Sequence, residues 1–115
     1  MEAKRRVVVT GLGVVSAVGN DVPQFWDSLR AGRDGIRPIT LFDTSSLRTH
    51  NGGEVIDLSL DRYFSSKEKK RLSRCDQFGV IAAEEALERS SLNPGEVDRD
   101  RFGIIQGEDA PRSRS

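Results

Sequence analysis

"VVVTGLGVVSAVGNDVPQFW", residues 7–26, sets an apolar β-branched run ahead of glycines spaced G-x-G. A dinucleotide-binding turn begins the same way. The full fingerprint needs a third small residue at G-x-G-x-x-G and a helix that starts on the turn, so that its amides meet a pyrophosphate. Here the third position is Ser16, and the helix cap comes only at Asp21. No acidic residue closes a second strand to take a ribose. The competing reading is structural: Gly11 and Gly13 let the chain leave a crowded strand end and pass close to neighbouring backbone.

Outward from that stretch the elements are legible. Residues 5–10, "RRVVVT", read as a strand, and three consecutive valines predict burial on both faces, as in a parallel sheet. Asp21 with Gln24 forms a capping pattern, Pro23 suits a first turn, and Gly32 is the stop, so a helix is expected between them. Val22, Phe25, Trp26 and Leu29 would make its apolar stripe. Residues 33–52 lack periodicity and predict an irregular, ordered loop, with "LFD" at 41–43 as a possible pin to the core. "GEVIDLSL" at 53–60 alternates like a half-exposed or edge strand. Ser65 with Glu68 is a capping box, and one helix is expected from there to about Leu92. Leu72, Cys75, Gly79, Ala82 and Ala86 fall on one face of it, small enough to let another backbone approach. "NPG" at 93–95 ends that helix, and residues 102–107 read as a third strand. The order β–α–loop–β–α–β predicts an α/β fold with a largely parallel sheet.

The totals narrow the function. The 115 residues fit one domain, which buries roughly two-thirds of its unfolded surface. Eighteen basic residues balance eighteen acidic ones, so no charge excess favours nucleic acid or an anionic membrane. "KRR" at 4–6 and "KEKKR" at 67–71 read as solvated faces. No apolar run reaches the ~20 residues of a membrane span, and the N-terminus does not read as a signal peptide. One cysteine excludes an internal disulfide framework and fits a reducing, cytoplasmic setting. One His and one Cys cannot build a zinc site without borrowed ligands.

The chemistry-bearing residues do not converge. Cys75 precedes Asp76, whose carboxylate would raise the thiol pKa, so it reads as a core or partly buried residue and a poor nucleophile. His50 lies in the polar "RTHNGG" and reads as a surface residue. Ser16 sits in V-S-A rather than a G-x-S-x-G elbow. Asp43 and Thr44 in "FDTSS" read as a turn cap. Within these residues nothing assembles a nucleophile, a base and an oxyanion hole, so no catalytic, cofactor-binding or metal residue is assigned.

The order of segments resembles the N-terminal part of the beta-ketoacyl-acyl-carrier-protein synthases, the type II condensing enzymes of the thiolase-like superfamily. The carrying stretches are "RRVVVTGLGVVSAVGN" at 5–20, "FWDSLRAGRDGI" at 25–36, "FDTS" at 42–45, "CDQFGVIAAEEAL" at 75–87 and "RFGIIQG" at 101–107. The resemblance implies a truncated α-β-α-β-α layered fold whose first strand carries the glycine turn with no nucleotide. It implies an enzyme that condenses an acyl thioester with malonyl-carrier protein, in fatty acid or polyketide synthesis, without a cofactor. Its partners would be acyl-carrier protein and a second synthase subunit in a homodimer. The family's nucleophilic cysteine lies in a downstream A-C-S segment and its histidines further on, so Cys75 is not that nucleophile. Relatives continue past the third strand with G-x-G-I-G-G, whereas here Gly107 is followed by "EDAPRSRS". Residues 1–107 are therefore expected to be a partial synthase domain, and 108–115 a disordered tail outside the family pattern. Alone, such a chain would be inactive and marginally stable. Two other readings are an interaction protein that pairs with a full-length synthase or carrier protein, and a small nucleotide-binding domain.

Overall fold

The computed structural model describes residues 3–107, so the tail predicted at 108–115 lies outside it. The elements in chain order are α1 (Val22–Ala31), β1 (Arg37–Pro38), β2 (Asn51–Gly52), α2 (Ser66–Arg71) and α3 (Arg74–Ser90). Single 3-10 turns stand at Leu60–Arg62 and Arg99–Arg101.

The first helix forms where its punctuation places it. The Asp21 carboxylate accepts from the Gln24 N–H at 2.9 Å, and the Gln24 side chain accepts from the Asn20 N–H at 3.1 Å. These bonds satisfy donors that a helix start leaves open. Gly32 stops it with φ 67°, a left-handed conformation that suits glycine. The apolar stripe is only half covered: Val22 and Phe25 are partly buried, while Trp26 and Leu29 are exposed.

The long helix expected from Ser65 is two helices. Ser65 and Glu68 do form their capping box, but α2 runs only to Arg71. Leu72 turns to an extended conformation, ψ 135°, and a second box starts α3: Asp76 N–H donates to Ser73 Oγ at 3.1 Å, and Ser73 N–H to Asp76 Oδ2 at 3.2 Å. The reason is local. A serine that can bond the N–H three residues on competes with the helix interior and starts a new helix instead. Buried Gln77 links the pieces by donating from Nε2 to the Lys69 carbonyl at 3.3 Å. α3 then ends on Ser91 at φ 55°, just short of Leu92.

The fold is assembled on the small-residue face of α3. A Cβ added to Gly13 would sit 1.8 Å from the Ala82 carbonyl oxygen, and one on Gly11 would sit 2.2 Å from that of Ala86. The glycine turn therefore lies directly against the helix backbone. On the same face Gly79 meets the side chain of Gln106, where a Cβ would fall 2.7 Å from Nε2. Ile81 packs beneath at 2% exposure and Phe64 is also buried; they are the buried hydrophobic residues among those described.

The strand expectations fail at the ladders. Among the described residues the only named sheet is the antiparallel pair β1–β2, with Arg37 opposite Gly52 and Pro38 opposite Asn51. Residues 5–10 and 102–107 carry no assigned strand, and neither does 53–60. The valines predicted to be buried on both faces are open to solvent, Val7 at 94%. Ile105 is fully exposed. β-branched runs supply strand propensity, but a strand also needs a partner to pair with, and no described segment pairs with these runs. The 33–52 loop is irregular but ends in the β1–β2 pair, and its "LFD" does not pin it, since Leu41 and Phe42 are exposed.

Two outcomes follow from this packing. Gly13→Ala should destabilise the chain by about 1–3 kcal/mol through overpacking against α3, while Gly103→Ala, with open space around it, should stay close to wild type; chemical denaturation measures both. The exposed Val7–Val9 run should drive self-association. Sedimentation velocity should show larger species as concentration rises, fewer of them in Val8→Lys.

Candidate functional site

An open depression of about 450 Å³ lies at the Ser16–Gly19 turn, lined by Ser16, Asn20, Gln24, Ser28, Arg33 and Arg37, among others. Its polar groups are largely turned onto the protein's own backbone. Ser16 Oγ donates to the Gly19 carbonyl at 3.0 Å and accepts from the Val18 N–H at 3.2 Å. Ser28, buried on α1, donates to the Val18 carbonyl at 2.6 Å. Asn20 Nδ2 donates to the Ile56 carbonyl at 2.8 Å, and the Arg37 guanidinium to the Ala17 carbonyl. This is a turn being braced.

The amides that would serve a phosphate are already occupied. Glu85, on α3 and largely buried, accepts from the Val14 N–H at 3.0 Å and from the Val22 N–H at 2.8 Å. Val22 is the first residue of α1, so the carboxylate takes the anion position at that helix N-terminus. Arg89, one turn along α3, donates from Nε to Glu85 at 3.0 Å. Burial pushes the Glu85 carboxyl up, but the two amides and Arg89 outweigh it, and the group is held below its ordinary range. The anion beside the glycine turn therefore belongs to the chain itself. The sequence reading missed Glu85, which carries no motif; its only signal was a carboxylate on the helix stretch richest in small and apolar residues.

The other residues singled out do not meet there. Cys75 is exposed in the first turn of α3, which corrects the expected core or partly buried placement. The part of the small-residue face that is covered, at Gly79, Ala82 and Ala86, begins a turn beyond Cys75, which is the second residue of the helix. His50 is exposed, with Nδ1 3.1 Å from Thr44 Oγ1. Asp43 accepts from the Ser45 N–H at 2.9 Å, which holds its carboxyl below the usual range, and Leu47 N–H donates to the Thr44 carbonyl at 2.9 Å. That is the turn role expected of this pair. Among the described residues no three His, Cys, Asp or Glu side chains group in a way that could hold a metal ion. No helix among them is long and apolar enough to cross a membrane.

Residues 4–112 match the family described as beta-ketoacyl synthase, N-terminal domain, and the chain belongs to that family. It is 40% identical over 104 residues to 3-oxoacyl-[acyl-carrier-protein] synthase 2 of Synechocystis, which covers 90% of this chain and 25% of the relative. A granaticin polyketide relative from Streptomyces violaceoruber, named as a beta-ketoacyl synthase, is 41% identical over 103 residues, covering 90% and 24%. Among solved structures, the ishigamide ketosynthase/chain length factor superposes with a TM-score of 0.73 at 38% identity, covering 83% of this chain and 24% of that one. The fold is accordingly the N-terminal part of the thiolase-like ketosynthase architecture, and the chain spans about a quarter of the length of these relatives.

Glu85→Gln keeps the shape but turns an amide group toward N–H donors. Loss of the charged acceptor should cost about 1–3 kcal/mol. Because the folded-state pKa lies below the ordinary carboxylate value, the wild-type advantage should be complete above that value and vanish as pH falls through the depressed one. Unfolding of both proteins across that range checks it.

Proposed function

We propose that this chain supplies the N-terminal scaffold of a beta-ketoacyl-acyl-carrier-protein synthase, and that it carries none of the groups that do the chemistry. The family match over residues 4–112 carries this reading. The whole enzyme would condense an acyl thioester with malonyl-carrier protein, working as a dimer in fatty acid or polyketide synthesis. Its catalytic demand is an activated thiol and preorganised donors around a thioester oxygen. The residues present support a scaffold. Exposed Cys75 neighbours Asp76, His50 contacts a threonine, and the Val14 and Val22 amides are committed to Glu85. Residues 1–107 are the synthase part in this reading, and the family match runs on to residue 112.

A second reading has an observation in its favour. Val7, Val8, Val9, Ile104 and Ile105 are all exposed, and pairing with a full-length synthase or carrier protein would cover them. The purified 115-residue chain should release no carbon dioxide from malonyl-carrier protein, and steady turnover would overturn the scaffold reading. Retention of a full-length synthase on the immobilised chain is what the second reading expects.

A further inference from the structure

Asn51–Gly52, the two residues of β2, form the only Asn-Gly step in the sequence; the other asparagines precede Asp21 and Pro94. Asn51 is exposed. Glycine offers no Cβ to hinder its own amide nitrogen, so that nitrogen can reach the preceding side chain when the backbone allows. The Gly52 nitrogen attacks Asn51 Cγ and the new C–N bond closes a succinimide. Nδ2 leaves as ammonia with the proton that Gly52 gives up. Water then opens the ring to aspartate or isoaspartate. One water enters, one ammonia leaves, and the chain gains one negative charge without an oxidant or reductant.

The fold governs when this can happen. Ring closure requires Asn51 to leave the extended conformation that the ladder imposes. Gly52 is held opposite Arg37, and on the other side the Ile39 N–H donates to the His50 carbonyl at 2.9 Å. The rung between them pairs Asn51 with Pro38, which has no N–H to give. A ladder two residues long is marginal by itself. Here it is held by Glu54, whose carboxylate accepts from Thr40 N–H and Thr40 Oγ1, each at 2.8 Å, and from Leu41 N–H at 3.0 Å. Arg37 adds its bond to the Ala17 carbonyl.

We propose that Asn51–Gly52 is a self-modifying site, a deamidation that the β1–β2 ladder holds off and that local opening of the ladder releases. Isoaspartate lengthens the backbone by one carbon, so the rung cannot reclose in register and each opening that reacts is recorded permanently. The Arg37 side opposite then loses its partner strand, which loosens the brace on the Ser16–Gly19 turn.

The test follows deamidation by peptide mass mapping of the full chain at mildly alkaline pH, with helical circular dichroism recorded alongside. Three samples are compared: wild type in native buffer, Glu54→Ala in native buffer, and wild type in urea. Conversion should occur at Asn51 ahead of Asn20 and Asn93. It should be about tenfold slower in native buffer than in urea, with Glu54→Ala in between. Equal rates in native buffer and urea, with helices intact, would overturn the proposal. So would earlier conversion at Asn20 or Asn93, a Glu54→Ala rate no faster than wild type, or native buffer that shows no helical signal.

Discussion

Two backbone amides far apart in sequence from α3 converge on one of its carboxylates, and the first ninety residues are arranged around that meeting. Glu85 takes the Val14 N–H on the glycine turn and the Val22 N–H at the start of α1. Neither donor has a partner in its own element: one sits in a turn without ladder bonds, the other at a helix start. A largely buried acceptor that serves both fixes the angle at which the chain leaves the turn and enters the helix. The approach is possible only because Gly11 and Gly13 bring the main chain onto Ala82 and Ala86. Charge and steric fit act together there. Removing either leaves the other without its geometry.

The same arrangement separates this fold from the nucleotide-binding one that its sequence imitates. Both place an apolar strand, a glycine turn and a helix N-terminus in succession. In a dinucleotide fold the open amides at that helix receive an external phosphate. Here the helix starts late, after Asn20 and Asp21, and an internal anion already sits on its first amide. A motif made of glycines specifies a backbone path, and the identity of the anion is settled by what the path runs against.

Features set by neighbouring residues in the chain were legible in the sequence. The Asp21 cap, the Gly32 stop and the Ser65 box stand where spacing placed them, and the small face of α3 receives another backbone as its residue sizes predicted. The second box at Ser73 obeys the same rule, but the apolar run around it favoured one continuous helix. Strand patterns told less, because alternation shows what a segment can be and pairing depends on a distant partner. The valines of residues 7–9 and the isoleucines at 104 and 105 stand outside any ladder and are exposed for that reason. Of the candidate residues, the surface placement of His50 and the turn role of Asp43 and Thr44 followed from their local settings. The placement of Cys75 did not, since surface or interior is decided by which face of α3 is covered. Glu85 was invisible for a related reason: its partners lie up to 71 positions away.

That separation also sets the order in which the chain can fold. The glycine turn emerges before α3 during synthesis, and the surface against which Gly11 and Gly13 lie is encoded in α3, many residues later. Until α3 has formed, Glu85 is missing from the Val14 and Val22 amides, and the turn has only its own bonds and those that Ser28, Arg37 and the Ile56 carbonyl supply. Closing so long a loop early is entropically costly, and topologies dominated by such contacts fold slowly. The formation of α3 seats the glycine turn but leaves Val7–Val9 exposed, so the need for a chaperone at this segment outlasts the folding of the helix.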